Sequence, residues 1–211
     1  MAQAGREVAA CHRFGFAQVQ SQAGVKALRA AIAMLDPQAK PAREPIMSEL
    51  SFVLELETEA DGEPIMRLNE RAFGPGRFAR TAYRLREIGA PEPALSFVAR
   101  VGTLLVGANS MTPILIGQTP ALLLGPLIVE PVFRSRGIGE ALVMRSIEAA
   151  RAAGARLSIL VGDAPYYARM GFGRAPAGRI QMPGPVDPAR LLYCELAPGA
   201  FEGVSGAVRA V

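Results

Sequence analysis

Leu122–Ala175 reads LLLGPLIVEPVFRSRGIGEALVMRSIEAARAAGARLSILVGDAPYYARMGFGRA. An apolar run leads into Arg134-x-x-Gly137-x-Gly139. A helical pattern follows, then a second apolar run and the pair Tyr166-Tyr167. A strand that turns through a Gly-rich, Arg-flanked loop into a helix makes an anion site. The first N–H groups of the helix have no internal partner, and its positive dipole end points at the turn. Such a turn suits a phosphate-bearing cofactor. It has no Gly-Lys-Ser/Thr and no G-x-G-x-x-G followed by a distant acid, so it matches neither the nucleotide-triphosphate loop nor the dinucleotide fingerprint. Gly137 is expected to take positive φ or to let backbone approach a ligand, and Gly139 to omit a side chain where helix and ligand crowd. An ordinary crossover with two glycines is the alternative that so short a motif leaves open.

Around the turn the pattern alternates strands with helices. Ala121–Val129 is almost continuously apolar, as in a strand buried on both faces. Gly125-Pro126 interrupts it, and since proline donates no ladder bond, a bulge or a parting of strands is expected there. The helix over Gly137–Ala153 buries Gly139, Leu142, Val143, Ile147 and Ala150 and exposes Glu140, Arg145, Glu148 and Arg151. Gly154 ends it. Leu157–Val161 is the next strand, joined by a right-handed parallel crossover. Asp163–Met170 reads as a short helix and Arg190–Glu195 as a late strand. Upstream, Ser51–Glu57 is a strand and Asp61–Phe73 a helix. Arg80–Ile88 is a second short helix, and Leu95–Val101 and Thr103–Ile116 are strands joined near Gly102. The class is α/β.

The chain has 211 residues, half of them apolar, enough for one domain with a sizeable core. No apolar run reaches the length of a membrane span, and no signal pattern opens the sequence. Cys11 and Cys194 are too far apart in sequence to suggest a disulfide framework, which points to a reducing cytoplasm. No His/Cys cluster suggests a metal. The pI near 9.5 raises the question of nucleic acid. Its source is the first segment: residues 1–47 carry six Lys or Arg against three Asp or Glu, while 48–211 carry seventeen against sixteen. A nearly neutral domain lacks the basic stripe that phosphate-backbone binding needs, so nucleic acid is not expected. Residues 1–47 read as an extension with a modest helix at Val25–Leu35 and a proline-rich end (Pro37, Pro41, Pro45). It is either a flexible segment, an over-extended coding start before Met47, or a partner-binding helix. Residues 48–211 are the domain.

Arg134-x-x-Gly137-x-Gly139 after Val129 and Pro131, with Tyr167-x-x-x-Gly171-Phe172 downstream, resembles the GNAT superfamily of acyl-CoA-dependent N-acetyltransferases. LGPLIVEP, GDAPYYARMGF and the tail ELAPGAFEGVSGAVR resemble its YhbS-like bacterial branch, and the likeness spans Ser51 to Arg209. It implies a mixed, centrally splayed sheet with helices on both faces. It also implies acetyl-CoA as cosubstrate without a metal, and direct transfer of its acetyl group to a primary amine of a small molecule or protein. The runner-up is a non-catalytic acyl-CoA-binding module. The resemblance assigns the acyl and pantetheine units to the strand at Leu127, Ile128 and Val129. It assigns the pyrophosphate to the N–H groups of Arg134, Ser135, Arg136, Gly137, Ile138 and Gly139. A homodimer is compatible with this reading.

Acyl transfer to an amine needs a donor for the developing oxyanion, loss of an amine proton, and a proton for the leaving thiolate. The bulged strand can supply the first. A tyrosine suits the last, and Tyr167 matches the superfamily's tyrosine. Tyr166 points about 100° away on a helix, so both cannot serve, and it reads as packing. The base is less legible. Asp163 follows a parallel strand's C-terminal end, where open α/β sheets place ligands, and is equally placed to cap the next helix. Glu130 reads as solvated surface. Asn109 and Ser110 are placed to line the acceptor side, and the only histidine, His12, lies outside the domain. Loops around Ala72–Arg80 and Met182–Asp187 are expected to set the acceptor.

Overall fold

The computed structural model describes residues 51–74 and 89–211; the helices expected at Val25–Leu35 and Arg80–Ile88 and part of the Ala72–Arg80 loop lie outside them. The chain opens with β1 (Val53–Leu56) and α1 (Gly62–Phe73). Three antiparallel strands follow, β2 (Phe97–Val101), β3 (Leu104–Ile116) and β4 (Thr119–Val129). Then come α2 (Ile138–Ala152), β5 (Leu157–Val161) and α3 (Ala164–Ala168). The rest is β6 (Gly173–Arg174), β7 (Ile180–Gln181), β8 (Leu191–Glu195) and β9 (Gly206–Ala210).

The sheet runs β1-β2-β3-β4-β5-β8-β6, with β9 joining β3 and β7 joining β9. All its neighbours are antiparallel except β4 with β5 and β7 with β9. The fold is α/β, a mixed, mostly antiparallel open sheet with a helix on each face. α1 lays Ile65 and Leu68 on Val98, Ala108 and Ile128. α2 lays Ile138 and Leu142 on Phe97, Ala99 and Val106. Adjacent strand residues face opposite ways, so Phe97 and Val98 serve different helices. Burying each Leu of these helices contributes about 1.5–3 kcal/mol, which holds both layers to the sheet.

The strand–turn–helix–strand unit follows the sequence pattern closely. Its α2 buries Leu142, Val143, Ile147 and Ala150 as the stripe implies, and adds Ser146. Ser146 is tolerated in the core because its Oγ accepts from Asn109 Nδ2 at 2.8 Å. Gly154 stands at φ 82 just past the end of α2. β6, β7 and β9 carry no clear alternation and were not expected from the sequence. They are pinned by partners: β6 by β8, β7 by β9, and β9 by the end of β3.

Two irregularities shape the centre of the sheet. Between β3 and β4 the register slips where Gly125-Pro126 stands opposite Ser110: Asn109 pairs with Leu127 and Met111 with Leu124. Between β4 and β5 pairing is confined to Leu122↔Ser158 and Leu123↔Ile159. Beyond these residues β4 continues to Val129 and β5 to Val161 without each other. The bulge and the parting of strands therefore fall at the same place, where the proline removes a ladder donor.

Candidate active site

The parting leaves backbone donors of β4 without a strand. Glu130 N–H donates to Val106 O at 2.8 Å. In an antiparallel ladder the direction alternates, so Ile128 also faces β3, while the N–H groups of Leu127 and Val129 face the gap toward β5. Past Val129 a single 3-10 turn, Pro131–Phe133, leads to the loop. Ser135 adopts φ 60 and Gly137 φ 80, and Gly137 is the left-handed residue that precedes the first turn of α2. Two left-handed residues close together curl the backbone so that successive N–H groups converge, as in anion-binding nests. A Cβ at Gly137 would meet nothing within 4 Å, so its glycine answers to φ and to open space rather than to crowding. Arg134 and Arg136 are exposed, and Arg134 Nε donates to Val129 O at 3.2 Å.

A cavity of about 630 Å³ lies over this loop. Leu127, Ile128 and Val129 form one wall, and Arg134, Ser135 and Gly137 through Gly139 another. Phe73, Phe133, Tyr166 and Arg169 close it. Every cofactor residue picked from the sequence lines this cavity except Arg136, which stands exposed within the same loop.

Tyr166, read as packing, is on the cavity wall. A Cβ at Gly139 would stand 2.6 Å from its hydroxyl, so Gly139 makes room for Tyr166 at the first turn of α2. Arg169 lies 5.1 Å from the Tyr166 ring centre and reaches Glu140 at 3.7 Å, which ties α3 to that turn. Burial raises the Tyr166 phenol above its ordinary range; the Arg169 charge opposes this and Glu140 adds to it. Tyr167 instead packs its ring where Gly162 has no side chain, and meets Phe172 edge-on at 5.8 Å. Gly162 directly follows β5, so Tyr167 stands at the mouth of the β4–β5 gap. Arg169 was missed in the sequence; its place three residues after Tyr166, on the same side of a helix, was the available signal.

Asp163 occupies the position before α3, yet its side chain makes no capping bond and is exposed. Its backbone carbonyl accepts from Tyr167 N–H at 3.1 Å. Glu130 is not simply solvated: its Oε2 accepts from Arg71 at 2.8 and 3.2 Å, fastening α1 to the end of β4. Asn109 turns its side chain to Ser146 beneath α2, whereas Ser110 faces the other way, toward Glu57. Among the described residues no group of three His, Cys, Asp or Glu could hold a metal, and no helix is long and apolar enough to cross a membrane.

The geometry agrees with what similar proteins are. The family model of the acetyltransferase (GNAT) domain matches residues 92–174. The Uncharacterized N-acetyltransferase YjhQ of Escherichia coli (strain K12) is 31% identical over 125 residues, 57% of this chain and 69% of that protein. Among solved structures, the GNAT family N-acetyltransferase YhbS of Escherichia coli in complex with CoA superposes with a TM-score of 0.67 at 24% identity. That match covers 77% of this chain and 91% of that one. A GNAT family acetyltransferase from Brucella melitensis in complex with acetyl-CoA gives 0.57 at 26% identity, over 77% and 97% of the chains. With the splayed sheet, the left-handed turn before α2 and the extended likeness to YjhQ all in agreement, the chain belongs to the GNAT N-acetyltransferase family.

Proposed function

We propose that the protein transfers the acetyl group of acetyl-CoA directly to a primary amine. The observation that carries this reading is the gap beyond Leu123 and Ile159, where two N–H groups of β4 open onto the cavity over the Arg134–Gly139 turn. The pyrophosphate sits on the N–H groups of residues 134–139, aided by Arg134 and Arg136. The pantetheine follows Leu127–Val129 into the gap, and one of the free N–H groups donates to the thioester oxygen as negative charge develops there. The amine nitrogen attacks the carbonyl carbon, the C–S bond breaks, the thiolate takes the Tyr167 proton, and the second proton shed by the acylated nitrogen returns to the Tyr167 phenolate through water. The amine, mostly charged at neutral pH with a pKa of about 10.4, first gives its proton to water. Asp163, its capping bond unmade, is the carboxylate at the end of β5 able to receive that proton through water. Residues 48–211 carry this chemistry, in a cytoplasmic setting.

A thiol-release assay with acetyl-CoA against polyamines, amino acids, aminoglycosides and peptides tests the proposal. Release that depends on an amine, with N-acetylated product by mass, is the expected result. Tight acetyl-CoA binding with no release from any amine would leave a non-catalytic acyl-CoA-binding module instead.

A further inference from the structure

Glu57 follows β1, and its N–H donates to the O of Ser96, just before β2, at 2.9 Å. Its carboxylate is half-buried, and Oε2 accepts from Ser110 Oγ at 3.2 Å. Among the described residues it has no ion-pair partner. Four other acids of this region do: Glu55 and Asp61 share Arg100, Glu63 holds Arg67, and Glu130 holds Arg71. Burial raises the Glu57 carboxyl above its ordinary range; the Ser110 bond opposes this and the Asp61 carboxylate adds to it. A carboxylate held in this way gains from any cation brought to it.

Ser110 places Glu57 relative to the reaction. It stands opposite the Gly125-Pro126 bulge of β4 and on the face away from α2, since its neighbour Asn109 turns toward Ser146. Thr112, next on the same face, is fully buried with no hydrogen-bond partner for Oγ1. A polar row, Glu57–Ser110–Thr112, thus interrupts an otherwise apolar sheet face beside the gap where the acetyl group is delivered. The Glu57 carboxylate lies about two strand spacings, roughly 10 Å, from β4. That is too far to hold the reacting amine at the thioester. It is near enough for a second charge on a chain of four or five carbons, which spans roughly 6–8 Å.

We propose that Glu57, seated on Ser110, anchors a second positive charge of the acceptor, so that the acceptor class is a diamine or longer polyamine rather than a monoamine. This rests on the transferase reading above. The test is calorimetry of the full chain, saturated with CoA, against 1,4-diaminobutane and against butylamine, in the parent and in Glu57→Gln. The parent should bind the diamine more tightly. Glu57→Gln should lose about tenfold or more in diamine affinity, as expected for one charge-assisted contact. Butylamine and CoA affinities should stay within about twofold, a range that also shows the variant is folded. Equal binding of the two amines by the parent, no diamine binding at all, or a preference that survives in Glu57→Gln overturns the inference. Failure of the transferase reading looks different: the preference holds and follows Glu57, yet no amine releases thiol.

Discussion

On one side of β4 the proposed cofactor surface is continuous chain. Leu127 through Gly139 supplies a strand edge, a turn and a helix start, and its working groups are mostly backbone N–H. On the other side the proposed acceptor surface is assembled from side chains, with Glu57, just past β1, and Ser110 of β3 lying 53 residues apart. A backbone site is set by φ, ψ and a few glycines, and tolerates change in most neighbouring side chains. A side-chain site depends on each group individually. The cofactor side should therefore respond to substitutions that alter backbone or charge in the turn. The acceptor side should respond to the loss of one functional group without loss of fold.

Tyr167 at the mouth of the gap gives the largest expected effect. Tyr167→Phe keeps the ring against Gly162 and Phe172 and removes the hydroxyl with its proton. Turnover should fall by roughly 10²–10⁴-fold while acetyl-CoA affinity changes only a few-fold. Tyr166→Phe is the sharpening partner. If the larger loss of turnover appears there, the tyrosine on the cavity wall is the acid and Tyr167 is packing.

Gly137→Asp comes next. Its Cβ has open space, so the chain accommodates it, at the cost of a left-handed aspartate. The new carboxylate would face the pyrophosphate in its proposed seat on this turn. Losing one or two charge-assisted bonds of roughly 1.5–3 kcal/mol should weaken CoA at least tenfold in calorimetry. Gly137→Asn, of the same size without the charge, should retain most of the affinity. Unchanged CoA affinity in folded Gly137→Asp would move the pyrophosphate elsewhere.

The same contrast explains what was legible in the sequence. The β4–turn–α2–β5 unit could be read because its signals are local: an apolar run, a proline, two glycines at fixed spacing and a 3.6-residue stripe. Gly137 was read for its φ correctly. Gly139 was read as making room for a ligand, whereas in the structure a side chain, Tyr166, fills that room. The choice between two adjacent tyrosines was beyond the pattern, because a five-residue helix places both near the site and only its packing against Gly162 and Gly139 separates them. Glu57 was invisible for a deeper reason. One acid at a strand end looks like any solvated acid, and what sets it apart is that no cation among the described residues pairs with it, a property of the folded neighbourhood. β6, β7 and β9 escaped for a similar reason: short strands are made by their partners more than by their own pattern.

A smaller effect separates a structural acid from a working one. Asp61 is 2% exposed and accepts from Thr58 N–H at 3.0 Å, Thr58 Oγ at 2.8 Å and Arg100. Burial pushes its carboxyl up, but the Thr58 bonds and the Arg100 charge outweigh it, and the net shift is downward from 3.8. Its contribution to stability is therefore complete above pH 3.8 and is lost as pH falls through the lower folded-state value. Asp61→Asn should cost about 1–2 kcal/mol in urea unfolding at neutral pH, a deficit that shrinks in acid. Glu57 has the opposite sign. Its raised carboxyl opposes folding above the ordinary value of 4.5, and Glu57→Gln should be neutral or slightly stabilising. A Glu57→Gln protein that loses as much stability as Asp61→Asn would make Glu57 a structural group and remove the contrast.

The smallest effect is expected from removing residues 1–46. The charge excess and the proline cluster end before Met47, and Glu49–Val211 is a compact unit. A chain starting at Met47 should keep its CoA affinity and its diamine preference. Its melting temperature should fall by less than about 4 °C, the equivalent of roughly 1 kcal/mol for a domain of this size. The truncation also probes the two sides of β4 separately. A truncated chain that binds CoA normally but no longer distinguishes 1,4-diaminobutane from butylamine would assign the N-terminal segment to the acceptor side. One that loses both would make the segment part of the core and refute the boundary at residue 48.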